Sequence, residues 1–278
     1  MNTDSDRLLR DAVAAQLARL TAVGGPLATD SPRATHRVFE DDPRRAQVRK
    51  RIVADYLAGT GSPVRDGASA VITAGAAGAG KSTAVNAVLG ASAADYRRLD
   101  ADLAKDFLLV DAVDSGLFDD LLSMPLGDGR PVAPRELAAL VHHESTQIWD
   151  ALRRHCIDRG ERILIEGTLS WPPLGMQLLT ELRNSGYSAV HVVAVEVAEP
   201  VAQQRAVDRW WHVRRAGADA LGGRFMPPDV IGSAYRADGT SICTANALAL
   251  LGSGEDVLEG PVVTVDVVDE SGAIRRMG

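Results

Sequence analysis

A glycine-rich segment with a single lysine has the composition of a phosphate-binding loop. It reads GAAGAGKS and matches the pattern G-x-x-x-x-G-K-[ST] in full. Glycines let backbone amides turn inward around a phosphate, and a helix that follows adds the positive end of its dipole. The lysine can contact the β- and γ-phosphates, and the serine hydroxyl can bind Mg²⁺. The residues predicted to bind a nucleotide are Gly75, Gly78, Ala79, Gly80, Lys81, Ser82 and Thr83.

Two aspartates follow the next predicted strand, at residues 96–100. Asp100 ends this strand and Asp102 lies in the turn after it. Ligands of open parallel sheets bind at the edge where the strands end, so these carboxylates are placed for chemistry. An aspartate there can accept a hydrogen bond from an attacking hydroxyl and orient it for phosphoryl transfer. We predict this role for Asp102, with the alternative that one of the two aspartates only caps the following helix.

A third carboxylate, Glu166, ends the apolar run at residues 163–166 and begins the sequence E-G-T. A carboxylate at the end of an apolar strand is suited to organise Mg²⁺ and its water in phosphate-loop proteins. The usual residue at this position is aspartate, and glutamate is a variant. We predict that Ser82 and Glu166 are the metal ligands, with an ordinary exposed strand end as the alternative for Glu166.

The first 67 residues have helical patterns and lack strand signals. Apolar residues recur at helical spacing over residues 6–22, and a second helix is predicted to begin at Asp42-Pro43. Residues 59–67 have the glycine, serine and proline content of a linker. We therefore predict a helical N-terminal extension at residues 1–67.

From residue 68 onward, short apolar strands alternate with helices. This alternation is typical of a parallel sheet covered by helices on both faces. We predict an α/β phosphate-loop kinase-like domain at residues 68–278 with about five strands, and a long helix that begins at Pro134 and ends before Gly160. The predicted strands are residues 70–74, 96–100, 162–166, 189–197 and 261–269, and the remaining helices are 81–90, 174–186 and 201–215.

The charge and composition exclude several classes of protein. The net charge of −7 and pI near 5.4 argue against nonspecific binding to a nucleic acid duplex, which needs a basic surface. A hydrophobic content of 46% is too high for a disordered chain, and no apolar run is long enough for a membrane span. Two cysteines and a charged N-terminus without an apolar signal segment favour the cytoplasm.

Taken in order, these segments resemble the zeta toxin family of phosphate-loop kinases. The resemblance extends over roughly residues 40–270, and the combination of segments is more specific than any one of them. The matching segments are GAAGAGKST, LDADLAKDFL, VHHESTQIWDALRRHCIDRG followed by ILIEGTLS, RNSGYSAVHVVAVEV, QQRAVDRWW and GGRFMPPDVI.

The resemblance implies a reaction and a set of residue roles. Members of the family use ATP to phosphorylate the 3′-hydroxyl of UDP-N-acetylglucosamine, and an antitoxin protein restrains them. Lys81 and Ser82 match the nucleotide loop, and Asp102 matches the aspartate that orients the acceptor hydroxyl. Two arginines match groups that neutralise the transferred phosphoryl, and they lie on a predicted lid hinged at Gly217, Gly222 and Gly223. These lid arginines are Arg209 and Arg224, and the residues expected to bind the acceptor are Asp150, Glu144, Glu166 and Thr168.

The chain departs from the family pattern on the acceptor side. The family often has a basic residue just after E-G-T, whereas Leu169, Ser170 and Trp171 follow here. Asp150 replaces a longer glutamate. The resemblance therefore implies a small-molecule sugar-nucleotide acceptor and an antitoxin partner, without nucleic acid or membrane partners. Two alternative functions stay open. One is a kinase of the same mechanism with NAD, another nucleotide or an antibiotic as acceptor, and the other is a regulatory NTPase.

Overall fold

The structure is a computed structural model that describes residues 3–252 and 260–277. Within these residues, every strand belongs to one six-stranded sheet with the order β2-β3-β1-β4-β5-β6. Each strand is parallel to its neighbours except β6, which runs antiparallel to β5. The strands are β1 (Ser69–Ala74), β2 (Arg97–Asp100), β3 (Ile163–Glu166), β4 (Ala189–Val195), β5 (Val262–Val268) and β6 (Ile274–Met277).

The helices occupy the segments before and between these strands. Short 3₁₀ turns lie at Gly90–Asp95 and Pro134–Leu137. The α-helices are α1 (Thr3–Thr21), α2 (Thr35–Val38), α3 (Arg45–Gly59), α4 (Lys81–Leu89), α5 (Ala101–Asp114), α6 (Asp119–Leu122), α7 (His142–Asp158), α8 (Pro172–Asn184), α9 (Glu199–Ala216), α10 (Pro228–Gly232) and α11 (Ile242–Leu248).

Strand β1 lies inside the sheet, between β3 and β4. The chain leaves β1 toward β2 on one side, and it leaves β3 toward β4 on the other. Because parallel crossovers are right-handed, these opposite directions place α4 and α8 on opposite faces of the sheet. Strands β1 and β4 are apolar along nearly their whole length, as expected for strands covered on both faces. The loop that follows β1 therefore lies at a topological switch point, where ligands of such sheets bind.

The described chain forms two compact units that are interleaved in sequence. The sheet unit contains Tyr56–Asp100, Asp150–Arg205 and the described residues from Asp229 onward, and it includes all six strands. The helical unit contains the described residues up to Asp55 together with Ala101–Trp149 and Ala206–Pro228. Compact packing units are not the same as independently folding domains, so the division into residues 1–67 and 68–278 stays a prediction.

The α/β class with a mostly parallel sheet and flanking helices is confirmed, and the predicted start of the long helix was wrong. The long helix begins at His142 and not at Pro134, which opens a 3₁₀ turn. In the helical unit, the Leu140 carbonyl accepts a hydrogen bond from the Thr35 backbone N–H at 2.8 Å, so it is engaged outside the helix. The sheet also has a sixth strand, β6, whose side chains are mostly exposed and carry no apolar pattern.

A buried carboxylate fixes β6 to the sheet. Asp266 on β5 is 2% exposed and accepts hydrogen bonds from Arg276 on β6 at 2.9 and 2.8 Å. Its Oδ2 also lies 2.9 Å from Nε2 of His191 on β4. The hydrogen bonds from Arg276 hold the pKa of the Asp266 carboxyl below its usual range, against the opposing effect of burial. One carboxylate thus links three adjacent strands.

None of the helices in the described residues is long and apolar enough to cross a membrane.

We expect Asp266→Asn to lower the free energy of unfolding by about 1–3 kcal/mol at neutral pH, because a charged hydrogen-bond acceptor is lost from a buried site. The folded-state pKa of Asp266 is below the unfolded one. Its contribution is therefore present above about pH 4 and is lost as the pH falls through the folded value. Denaturant unfolding at several pH values should show the gap between the wild type and the variant closing in acid. The exposed Glu270→Gln is the matched control, and a gap that does not change with pH would contradict this account.

Candidate functional site

The phosphate loop connects β1 to α4, and its backbone requires glycine. Gly80 has φ +99°, in the left-handed region, immediately before the first residue of α4. A Cβ at Gly75 would lie 3.2 Å from the Val195 carbonyl oxygen and 3.4 Å from Cγ of Lys81. No side chain caps the N-terminus of α4. Its first backbone N–H groups therefore remain available to an anion, as the motif predicts.

The lysine of this loop binds two carbonyl oxygens, which phosphate oxygens could replace as acceptors. Lys81 Nζ donates hydrogen bonds to the carbonyl oxygens of Gly75 at 2.8 Å and Ala76 at 3.0 Å. The ammonium group is thus held against the loop by oxygen acceptors. The side chains of Ser82 and Thr83, in the first turn of α4, are exposed. All predicted nucleotide-binding residues lie together in the sheet unit.

The E-G-T segment after β3 is tied by hydrogen bonds to β1 and to the start of the phosphate loop. The Thr73 hydroxyl donates to the Gly167 carbonyl and accepts from the Gly167 N–H, both at 3.0 Å. The Gly75 N–H donates to the Thr168 carbonyl at 3.0 Å. The Thr168 hydroxyl lies 2.9 Å from the hydroxyl of Ser170. Thr168 therefore lies beside the predicted nucleotide loop.

Glu166 and Asp100 are register partners at the ends of β3 and β2. Glu166 is mostly buried, and its Oε1 lies 2.5 Å from Nε of Arg98 in an ion pair. The end of β2 is held by Tyr56, whose buried hydroxyl accepts a hydrogen bond from the Asp100 N–H at 2.8 Å and donates to the Arg98 carbonyl at 3.0 Å. Burial raises the pKa of Tyr56, so the hydroxyl stays protonated and can make both bonds.

A second cluster lies in the helical unit, around the first turns of α5. Lys105 Nζ is 2.9 Å from Oδ1 of Asp102. Arg224 Nη2 donates to the Asp102 carbonyl at 2.9 Å, and its Nε lies 3.5 Å from Asp102 Oδ2. Among the described residues, Arg224 Nη1 is buried and has no hydrogen-bond partner. The structure thus brings two predicted catalytic residues, Asp102 and Arg224, into contact.

Other predicted site residues are engaged elsewhere. Glu144 is buried in a bidentate ion pair with Arg45, at 2.7 and 2.9 Å, within the helical unit. Arg45 also pairs with Asp111 at 2.6 Å. Asp150, in the sheet unit, pairs with Arg153 at 3.0 Å. The Arg209 side chain is exposed on α9.

The glycines predicted as a lid hinge are required mainly by close packing. A Cβ at Gly223 would lie 2.4 Å from the Trp210 carbonyl oxygen, and one at Gly222 would lie 2.5 Å from Cβ of Ala133. Gly217, with φ +62°, directly follows the last residue of α9. The segment that carries Arg224 is therefore packed closely against its own unit, which argues against the predicted hinge.

Three residues with evident roles in this geometry were not predicted. Asp106 and Arg135 contact Arg224 or the segment before it, and Tyr56 holds the end of β2. The four-residue spacing of Asp102 and Asp106 on one helix was the only local signal for Asp106. Tyr56 was visible in the sequence only as one residue of the apolar face of α3.

We expect Glu144→Gln to act on stability and not on acceptor binding. Removing the charge leaves part of the buried Arg45 guanidinium uncompensated, so the free energy of unfolding should fall by about 3 kcal/mol. Denaturant unfolding measures this change, and the exposed Glu40→Gln is the control. A variant with wild-type stability and a raised KM for the acceptor would contradict this account and support a role for Glu144 in acceptor binding.

The comparisons with known proteins concern the family and the fold. The zeta toxin family model matches residues 125–252. No curated protein matches the chain in sequence. One solved structure, from the PezAT chromosomal toxin-antitoxin system of Streptococcus pneumoniae, is similar with a TM-score of 0.59. It is 14% identical, and the match covers 83% of this chain and 80% of that chain.

A second fold match is AvrRxo1-ORF1:AvrRxo1-ORF2, solved with sulphate ions. It has a TM-score of 0.56 and 12% identity over 84% of this chain and 67% of that chain. The same complex solved with ATP has a TM-score of 0.55 at 12% identity, with the same coverage. At such low identity these matches establish the fold alone. Together with the family match at residues 125–252, they confirm that the chain resembles the zeta toxin family and has its phosphate-loop kinase-like fold.

Proposed function

We propose that the chain is an ATP- and Mg²⁺-dependent kinase that phosphorylates the 3′-hydroxyl of UDP-N-acetylglucosamine as the toxin of a toxin-antitoxin pair. The observation that carries the proposal is the contact between Asp102 and Arg224 in a chain with an intact phosphate loop. The family match and the fold support a kinase-type phosphotransferase. The identity of the acceptor and the remaining residue roles are proposed from the family resemblance.

The phosphate loop would bind the donor. Lys81 Nζ can exchange its two carbonyl acceptors for phosphate oxygens, and the first N–H groups of α4 would donate to the same anion. Because the phosphoryl-transfer transition state is loose, positioning and charge neutralisation account for most of the catalysis. A fixed cradle of amides and one ammonium group meets both needs.

The donor set of the sheet unit fits Mg²⁺. This ion takes oxygen ligands and usually keeps several waters, with only one or two protein ligands beside the nucleotide phosphates. The exposed Ser82 hydroxyl and the Glu166 carboxylate are donors of this kind. When bound, the ion neutralises charge on the β- and γ-phosphates. Arg98 pairs with Glu166 and would restrict the orientation of its carboxylate.

Asp102 would act on the acceptor. Its carboxylate accepts the hydrogen bond of the sugar hydroxyl and takes the proton as the hydroxyl oxygen bonds to the γ-phosphorus. The bond from that phosphorus to the β–γ bridging oxygen breaks, and ADP leaves with the electron pair. Arg224, whose Nη1 is a buried donor without a partner in the described residues, is suited to bind a phosphoryl oxygen. The resemblance gives Arg209 the same task.

The loop after E-G-T is the part that bears on the choice of acceptor. Leu169 has φ +56°, a strained conformation for this residue, and its carbonyl accepts a hydrogen bond from Asn246 at 2.8 Å. Trp171 is 55% exposed and offers an aromatic face where the family often has a positive charge. This difference favours a second candidate, the same mechanism with another acceptor such as NAD, another nucleotide or an antibiotic.

A protein partner is the remaining element of the proposal. The two similar solved structures come from a toxin-antitoxin system and from a complex of AvrRxo1-ORF1 with AvrRxo1-ORF2. We propose that a small antitoxin likewise restrains this chain, and that the protein acts in the cytoplasm. Growth arrest on expression of the wild type, absent with Asp102→Asn, would support this reading.

The test is a reaction of the purified protein with ATP, Mg²⁺ and a panel of acceptors, followed by mass spectrometry. The panel contains UDP-N-acetylglucosamine, NAD, nucleosides and aminosugar antibiotics. We expect a gain of about 80 Da, one phosphoryl group, on the sugar nucleotide. Asp102→Asn should lower kcat by about 10²–10⁴-fold, with ATP affinity changed less than about threefold, because the group acts on the acceptor proton. Lys81→Ala should instead weaken ATP binding.

Each other outcome has a distinct meaning. The same mass shift on a different acceptor keeps the mechanism and overturns the proposed substrate. ATP consumption without any phosphorylated acceptor favours the regulatory NTPase. Full activity of Asp102→Asn would remove Asp102 from the mechanism, whatever the acceptor.

A further inference from the structure

We propose that Asp106 is a positioning residue that holds the Arg224 guanidinium beside Asp102, and that Arg135 braces both. The inference rests on the proposed function, because it concerns the same phosphoryl transfer. It adds two residues that neither the motifs nor the family resemblance supplied. All the contacts that carry it lie within the helical unit.

The first contact joins Asp106 to Arg224. Asp102 and Asp106 are four residues apart on α5 and therefore share one face of the helix. Arg224 Nη2 lies 2.5 Å from Asp106 Oδ1, and the same nitrogen donates to the Asp102 carbonyl at 2.9 Å. The guanidinium is thus held by a carboxylate and a carbonyl one helical turn apart. The contact sets where its Nε lies relative to the Asp102 carboxylate, at 3.5 Å.

The second contact joins Asp106 to Arg135. The guanidinium of Arg135 meets Asp106 in a bidentate pair, with both N–O distances at 3.1 Å. Arg135 Nη1 donates to the Gly222 carbonyl at 2.8 Å, and the Arg135 backbone N–H donates to the Leu221 carbonyl at 2.9 Å. Arg135 therefore connects Asp106 to the backbone two residues before Arg224.

The charges explain why Asp106 is needed. Arg224 and Arg135 both bring guanidinium groups against the same carboxylate, and without it these two cations would repel each other. Arg224 is 14% exposed and Asp106 is 19% exposed, so water screens this repulsion poorly. Neutralising Asp106 would leave Arg224 with the Asp102 carboxylate as its remaining anion among these contacts. Arg224 would then lose the carboxylate that fixes the direction of its guanidinium beside Asp102.

The segment that carries Arg224 is rigid for a second reason. Gly223 packs so closely on the Trp210 carbonyl that a Cβ there would lie at 2.4 Å. The backbone is thereby fixed, and the side-chain direction of Arg224 is left to Asp106. A preorganised guanidinium of this kind stabilises developing charge without reorganising during the reaction.

The decisive experiment is a double-mutant cycle. Asp106→Asn keeps the shape of the side chain and removes its charge. With the acceptor found in the panel, we expect its kcat to fall about 10-fold or more, with KM for ATP and acceptor changed less than about threefold. In an Arg224→Ala background, Asp106→Asn should change kcat less than about twofold, because its effect passes through Arg224. A purely structural role would give the same loss in both backgrounds and would overturn the proposal.

The matched control is Asp120→Asn. Asp120 is also paired with an arginine through two short contacts, to Arg33 at 2.6 and 2.7 Å, on the surface of the same unit. Its loss should leave kcat within about twofold of the wild type. If Asp106→Asn does not fold, the cycle is run with Asp106→Glu, which keeps the charge and displaces it. Its smaller loss should again vanish in the Arg224→Ala background, and a loss that persists overturns the proposal.

A readout that needs no acceptor separates this inference from the proposed function. If the wild type phosphorylates nothing in the panel, the proposed function fails. Hydrogen exchange of residues 219–225 then tests Asp106 alone. We expect faster exchange in Asp106→Asn than in the wild type or Asp120→Asn, because Arg135 loses one of its two carboxylate partners and keeps only Asp219. Unchanged exchange would overturn the proposal, as would wild-type kcat for Asp106→Asn in an active enzyme.

Discussion

A parallel sheet places the carboxyl ends of its strands at one edge, and the predicted nucleotide site of the sheet unit depends on this constraint. Strand β1 lies between β3 and β4, so the phosphate loop after β1 and the E-G-T segment after β3 are neighbours. Their hydrogen bonds run through backbone groups, from the Gly75 N–H to the Thr168 carbonyl and between Thr73 and Gly167. The same constraint pairs Asp100 with Glu166 in register. Geometry of this kind depends little on side-chain identity, and a short motif is therefore enough to predict it.

In the helical unit, the main constraint is the placement of guanidinium groups. The chain has only three lysines and 27 arginines. A buried arginine needs carboxylate or carbonyl oxygens around it, because an uncompensated charge is costly to bury. Arg45 meets this need with Glu144 and Asp111. Arg224 meets it only in part, since Nη1 remains a buried donor without a partner in the described residues. The difference separates an arginine that holds the fold together from one that has a donor left for a ligand.

The sequence predicted the elements whose signals are local, and it failed where distant contacts decide. The strands and most helices follow from apolar periodicity and from glycine or proline at their ends. The start of α7 does not, because Thr35 engages the Leu140 carbonyl from another segment. Strand β6 is an exposed edge strand without an apolar pattern. The buried Asp266 holds it to the sheet by accepting hydrogen bonds from Arg276. Likewise, no local pattern distinguishes Arg135 from the other arginines, since its role depends on contacts with α5 and with the segment before Arg224.

The same distinction explains why the donor side of the reaction is better determined than the acceptor side. Recognition of a phosphate uses amides, one ammonium group and glycine conformations, which a contiguous motif encodes. Recognition of an acceptor uses side chains from separate segments, and a single substitution changes it without disturbing the loop. Here Trp171 is exposed where the family often has a basic residue, while Leu169 is held in a strained conformation by Asn246. A conformation with φ above zero costs a leucine free energy, and it persists because its surroundings over-determine it. The loop after E-G-T is therefore built to one shape, and under the proposed function this shape, more than the phosphate loop, would decide which hydroxyl is phosphorylated.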